Sequence, residues 1–247
     1  MNVSTRIVSA WKKNAMLLGL SLCAVFTAAA ADAAPVLKDN SIEIAGKTLT
    51  MKQDGSFDCK NSKGELLFSC EMPYFWAVKS GKPEWPWRNK HMDKEKTKLV
   101  RDGNKYTWEL WFKDEGLAPV CTIKQSLEVL KDGQLEFRFR YSFPEKTEAY
   151  EFKHWTHFVC PGKTLENEKI ILSNNVTVAL AKDMKPVTER SAKWTFAPDK
   201  PEKRFVYETK KGSANRFMIV RWRNNRFEAL TEQLKPGQET VVYLDIR

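Results

Sequence analysis

From Leu135 to Phe143 the chain alternates without a break: Leu135, Phe137, Phe139, Tyr141 and Phe143 take one side, and Gln134, Glu136, Arg138, Arg140 and Ser142 the other. A period of two is that of a strand with one buried and one wet face. Ile123, Leu127 and Val129 against Lys124, Ser126 and Glu128 repeat the pattern, and Lys131-Asp132-Gly133 between the two segments predicts a hairpin turn. Tyr106, Trp108, Leu110 and Phe112 mark another strand. Further strands are predicted over 49–52, 56–60, 65–68, 150–159, 170–180, 204–209, 216–223 and 240–246. Turn signals punctuate them at Asp54-Gly55, Lys63-Gly64, Asp102-Gly103, Pro161-Gly162, Lys211-Gly212 and Pro236-Gly237. No long window carries a helical stripe. The pattern predicts an all-β chain whose one-faced strands pack as an antiparallel two-sheet β-sandwich. The longest stretch without strand pattern, Lys79 to Lys98, is expected to be a loop of functional length.

The N-terminus changes the picture of where this sandwich works. Arg6, Lys12 and Lys13 precede an apolar run from Ala15 to Ala30, and Ala31-Asp32-Ala33 supplies small residues ahead of Ala34-Pro35. This is the layout of a secretory signal peptide over 1–33, followed by a β-sandwich domain over 34–247. The run is short of the roughly 20 residues that a membrane span needs. An exported protein, periplasmic or extracellular, with no stable membrane span is expected. The whole chain has 41 Lys+Arg against 31 Asp+Glu, a formal net charge of +10. The leader carries Arg6, Lys12, Lys13 and Asp32, a net of +2, which leaves +8 on 34–247. Export disfavours nucleic acid as the partner of that charge and favours acidic glycans or envelope surfaces.

Cys59, Cys70, Cys121 and Cys160 remain after the leader, and an even number in an oxidising compartment predicts disulfides. Cys59 and Cys70 flank one predicted turn and are the favoured pair. A symmetric hairpin would set Cys59 opposite Leu66 or Leu67, so their bond requires a bulge; reduced thiols are the alternative. A meander of 121–130, 134–143 and 150–160 would hold Cys121 and Cys160 at opposite ends of one sheet. No cysteine spacing suits a zinc site, and no metal or cofactor is expected.

Three segments resemble the galactose-mutarotase-like β-supersandwich superfamily. Leu49-Thr50-Met51-Lys52-Gln53-Asp54-Gly55-Ser56-Phe57, with Asn61-Ser62-Lys63-Gly64-Glu65-Leu66-Leu67 after it, resembles the opening double hairpin of that fold. Ile123 to Tyr141 is similar to its central pair of long strands, and Leu234-Lys235-Pro236-Gly237-Gln238 to its closing turn. The superfamily includes aldose epimerases and accessory domains of polysaccharide-active enzymes, so the resemblance implies a sandwich with carbohydrate as partner. Its epimerases work with a His and a Glu, helped by further His and Arg. His91, His154 and His157 do not fall in that His-containing motif. Fold resemblance alone does not carry the activity across.

Three groups of residues are candidates for the site. Alternation over 150–159 places Glu151, Lys153, Trp155 and His157 on one face, as a sugar platform or as a wet face with cross-strand charge pairs. Trp85 and Trp87, with Arg88 and His91 beside them, form either an aromatic wall with donors or a cap on the core. Arg221 and Arg223 share a face that suits a carboxylated or sulfated sugar, or pair with the chain's own acids. Phosphate loops, nucleophile elbows and zinc-protease helices are not found. The expected function is non-catalytic polysaccharide binding, as an accessory to polysaccharide degradation. One alternative is an enzyme of the epimerase or lyase kind using His154 or His157 with Glu151 or Tyr150; another is a structural module of the cell envelope.

Overall fold

The computed structural model describes residues 34–71, 74–79, 82–86, 92–112, 121–142, 151–155, 157–181, 187–189, 192–209, 217–222, 226–230 and 239–247. Its first strands are β1 (Val36–Leu37), β2 (Ser41–Ile44), β3 (Lys47–Met51), β4 (Phe57–Lys60), β5 (Leu66–Cys70), β6 (Tyr74–Lys79) and β7 (Lys82–Pro86). The middle of the chain forms β8 (Lys98–Asp102), β9 (Lys105–Phe112), β10 (Cys121–Val129), β11 (Leu135–Ser142), β12 (Glu151–Trp155) and β13 (His157–Pro161). After a single-turn helix, α1 (Gly162–Leu165), come β14 (Lys169–Leu172), β15 (Thr177–Ala179), β16 (Val187–Glu189), β17 (Lys193–Phe196) and β18 (Phe205–Thr209). β19 (Phe217–Trp222), β20 (Arg226–Leu230) and β21 (Glu239–Asp245) complete the set.

These strands pair antiparallel into two large sheets, as the alternation predicts. The first has the order β1-β2-β3-β4-β5-β13-β20-β19-β16 and the second β15-β14-β17-β18-β21-β11-β10-β9-β8. A third, small sheet has the order β12-β6-β7. The inward positions of both large sheets merge into one core within the unit Pro35–Arg247. Phe57 of the first sheet meets Phe137 of the second edge-on at 5.3 Å, and Phe68 meets Phe205 at 4.7 Å. The chain is an all-β, two-sheet antiparallel sandwich.

Polar groups stitch the two sheets together through this core. The Trp108 indole donates to the Lys52 carbonyl at 2.7 Å. The Tyr106 hydroxyl lies 2.9 Å from the Ser41 carbonyl and also meets that of Lys38. Gln125 donates to the Gly55 carbonyl at 2.5 Å. Each bond brings a side-chain donor to a carbonyl at a hairpin end, where burial without a donor is costly; those of Ser41 and Lys52 also accept the backbone N–H of Lys38 and Gly55.

Several expectations need correction. The strand expected over 150–159 is two strands, β12 in the small sheet and β13 in the first large sheet. The expected meander therefore stops at β11, whose second neighbour is β21, and Cys121 and Cys160 lie on strands of different sheets. The stretch 170–180 is a hairpin, turned where Asn175 takes a positive φ of 62°. Lys79–Lys98 holds β7, whose Pro83 and Pro86 fit an edge strand with no second neighbour among the described residues.

The expected Cys59–Cys70 disulfide is also overturned. Cys59, Cys70 and Cys160 are free and buried. A register shift does occur between Cys59 and Lys60, but it sets Phe68 opposite Cys59 and Phe57 opposite Cys70. The two cysteines are thus diagonal neighbours, about 7–8 Å apart in such a ladder and beyond a disulfide's span. Burial pushes the Cys59 thiol up to about 12 and raises those of Cys70 and Cys160 as well.

Two outcomes follow. Gly55 has a φ of +84°, and a Cβ there would lie 2.6 Å from Leu110 Cδ1 and 2.8 Å from Gln125 Nε2. Gly55→Ala is expected to lower the unfolding free energy by about 2–4 kcal/mol in urea titrations. Gly64 has a similar φ of +78° with nothing within 4 Å, so Gly64→Ala should cost only the backbone term, about 1 kcal/mol. For the thiols, peptide mapping after native alkylation near pH ~8 should find Cys59, Cys70 and Cys160 unmodified, and labelled once urea unfolds the chain. Recovery of a Cys59–Cys70 cross-linked peptide would contradict this assignment.

Candidate functional site

The inner face of the second sheet is committed to the core, so its chemistry lies outside. On β9 the outward positions are Lys105, Thr107, Glu109 and Trp111, alternating with the buried Tyr106, Trp108, Leu110 and Phe112. On β10 they include Thr122, Lys124, Ser126 and Glu128, and on β11 Glu136, Arg138, Arg140 and Ser142. Register then aligns them in rows across the sheet. One row runs Thr107, Ser126, Arg138, Val241; the next runs Glu109, Lys124, Arg140, Glu239.

A cleft of about 410 Å³ opens along these rows, lined by Lys105, Thr107, Lys124, Gln125, Ser126, Arg138, Arg140, Ser142 and Glu239. Four cations face one carboxylate, with three hydroxyls between them. The cations are not equivalent. Arg138 is ion-paired to Glu136 and, at 2.9 Å, to Glu239. Its guanidinium is held protonated first by the hydrogen bond to Glu136, against the effect of burial. Burial and then the Glu136 carboxylate raise the Tyr243 hydroxyl, which hydrogen-bonds that same carboxylate. Lys105 is paired with Glu128 at 3.6 Å. Lys124 and Arg140 are exposed, stand directly opposite each other, and have no ion pair among the described residues.

Hydroxyls and an aromatic ring border the pair. Thr122 and Ser142 share a hydrogen bond at 2.9 Å, and Ser126 is nearly buried. Trp111 is opposite Thr122 in the ladder and half-buried, with Lys96 Nζ 5.5 Å from its ring centroid. Such a surface can offer hydrogen bonds to a polyhydroxylated ligand and charge to an anionic one. Among the described residues no three His, Cys, Asp or Glu side chains gather as a metal site, and no helix is long and apolar enough to cross a membrane.

The site residues expected from the sequence fall elsewhere. Glu151, Lys153 and Trp155 lie on β12, opposite Val78, Trp76 and Tyr74 of β6. Trp85 lies on β7, on the other side of β6, so the small sheet gathers strands from two of the three expected groups. His157 is separated from that platform because β13 pairs with β5 and β20. Arg221 is on β19, opposite Phe227. Trp87, Arg88, His91 and Arg223 lie outside the described residues, and for the other six the strand position alone is described.

The cleft residues were missed, although each occupies a wet position of a recognised strand. The usable signal was the hairpin closed at Lys131–Gly133. Counting back from it sets Lys124 across from Arg140 on the outward face. Trp111 was the other signal, an aromatic among Lys105, Thr107 and Glu109.

No family model matches the chain, and no curated protein matches it in sequence. Solved structures to which it is similar include an alpha-mannosidase from Enterococcus faecalis V583, at 8% identity and a TM-score of 0.48 over 87% of this chain and 30% of that one. A glycosyl hydrolase family 38 protein from Enterococcus faecalis is similar at 9% identity and a TM-score of 0.49, over 87% of this chain and 31% of that one. A GalM/aldose epimerase homologue from C. elegans is similar at 9% identity and a TM-score of 0.43, covering 84% of this chain and 96% of that one. The chain spans under a third of the two Enterococcus proteins, and identities this low say nothing of activity.

Proposed function

We propose that the protein is exported and binds polysaccharide through the cleft on the outer face of the second sheet. It acts as a non-catalytic accessory to polysaccharide breakdown. The observation that carries this reading is the lining of the cleft: hydroxyls from Thr107, Ser126 and Ser142 interleaved with Lys105, Lys124, Arg138 and Arg140. Its volume of about 410 Å³ is in the range of small-ligand sites, room for a short stretch of sugar with the rest of a polymer running along the open sheet. The net charge of +8 on residues 34–247 favours acidic glycans over neutral ones. A second sugar contact is proposed on the small sheet, where strands carrying Trp85 and Trp155 flank β6.

Affinity electrophoresis of the purified protein in gels containing polygalacturonate, dextran sulfate or dextran tests the binding reading. Retardation by at least one of them at millimolar sugar is expected, and free migration in all three would sink it. The address is tested separately by expressing the complete chain in a secreting host. The mass of the exported form should correspond to an N-terminus at Ala34, whereas a full-length chain held in the cytoplasm would contradict export.

A further inference from the structure

Several cations of the sandwich find acids. Lys52 pairs with Asp58, Lys105 with Glu128, Lys193 with Glu208, Lys200 and Lys203 with Glu168, and Arg247 with Asp245. Lys124 and Arg140, both in the cleft lining, have no ion pair among the described residues. They occupy directly opposed positions on β10 and β11, where side chains on one face stand close together and like charges repel. Each cation has one acid beside it in the ladder, and neither acid pairs with it among the described residues. Glu239 is opposite Arg140 in the ladder but bonds Arg138 on the diagonal instead, and Arg138 takes a second carboxylate from Glu136. Glu109 is opposite Lys124 on β9, outside the cleft lining, and makes no ion pair among the described residues.

The arrangement has a direction. Glu136 and Glu239 are drawn to Arg138, and Lys124 and Arg140 are left as two adjacent positive charges on the Ser142 side. Thr122 and Ser142, joined through their hydroxyls, stand one outward position beyond each cation. A folded chain keeps such a pair at a cost in stability unless something negative sits between them.

We infer that Lys124 and Arg140 are the anion seat of the cleft, taking a carboxylate or sulfate borne by a sugar ring. This rests on the polysaccharide-binding reading above. The guanidinium offers its planar fork to two oxygens, while the ammonium serves as a point charge from the facing strand. Arg138 is a structural cation whose charge is already answered. An acidic glycan is therefore read on one side of the cleft, and a neutral one is left to the hydroxyls.

The test uses Lys124→Gln with Arg140→Gln in the complete chain, beside a control of equal charge change, Lys60→Gln with Lys63→Gln, at exposed positions at the end of β4 and in the turn after it. Retardation by polygalacturonate or dextran sulfate should weaken about tenfold or more in the first variant and stay near wild type in the control. Comparing the two polymers tells a carboxylate seat from a sulfate seat. Thermal melting supplies the second readout. The cleft variant should melt no lower than wild type, because a repulsive pair is gone, and oligogalacturonate or a sulfated oligosaccharide should raise the wild-type midpoint but not the variant's. Equal weakening in variant and control would mean that net charge alone is felt and would overturn the assignment. So would an unaltered affinity of the cleft variant. If wild type itself binds no glycan, the binding reading fails first, an outcome distinct from either.

Discussion

The sandwich depends on how it disposes of buried carbonyls at the ends of its opening hairpins. Those hairpins fold over the second sheet and present the carbonyls of Lys38, Ser41, Lys52 and Gly55 to it. Tyr106, Trp108 and Gln125 answer them from the opposite face, and Gln125 is directly opposite Trp108 in the ladder. Apolar packing alone would tolerate the sheets at several offsets. A set of donors in adjacent strand positions, each requiring one acceptor, tolerates a single one. Gly55 belongs to the same constraint, since the close approach of its backbone to Gln125 and Leu110 leaves no room for a side chain.

That inner commitment is what frees the outer face for chemistry. Because Tyr106, Trp108, Ile123, Leu127, Phe137 and Phe139 must all point inward, the pleat sends Lys105, Thr107, Lys124, Ser126, Arg138 and Arg140 outward in fixed rows. The cleft is thus a by-product of register. Its hydroxyls and cations sit on long central strands, which hold positions more rigidly than loops do.

Much of this was legible in the sequence and the rest was not, for identifiable reasons. The hairpin around Lys131–Gly133 was readable because its alternation is unbroken and its turn is local, so the opposition of Lys124 and Arg140 follows from counting. The split between Trp155 and His157 left no trace, since the alternation from Tyr150 to Phe158 runs on as if one sheet held it. β7 hid behind Pro83 and Pro86, residues that argue against a strand unless it lies at an edge. The cleft needed β9 and β21 on either side of the hairpin, and the adjacency of β21 to β11 is not local. The cysteine expectation failed on a register detail: a bulge occurred where one was required, yet it aligned Cys59 with Phe68.

The place of β21 bears on how the molecule comes into being. It lies between β11 and β18, and so joins a half-sheet of β8 to β11 to another of β14, β15, β17 and β18. Neither half can complete its ladder from its own segment. Closing the sheet means bringing together residues about a hundred positions apart, which carries a loop-closure cost. Until it closes, each half presents an open edge. For a polypeptide proposed to cross a membrane before it folds, that dependence keeps the sheet open until β21 is available. The corresponding hazard is edge-to-edge association of chains held too long in that half-built state.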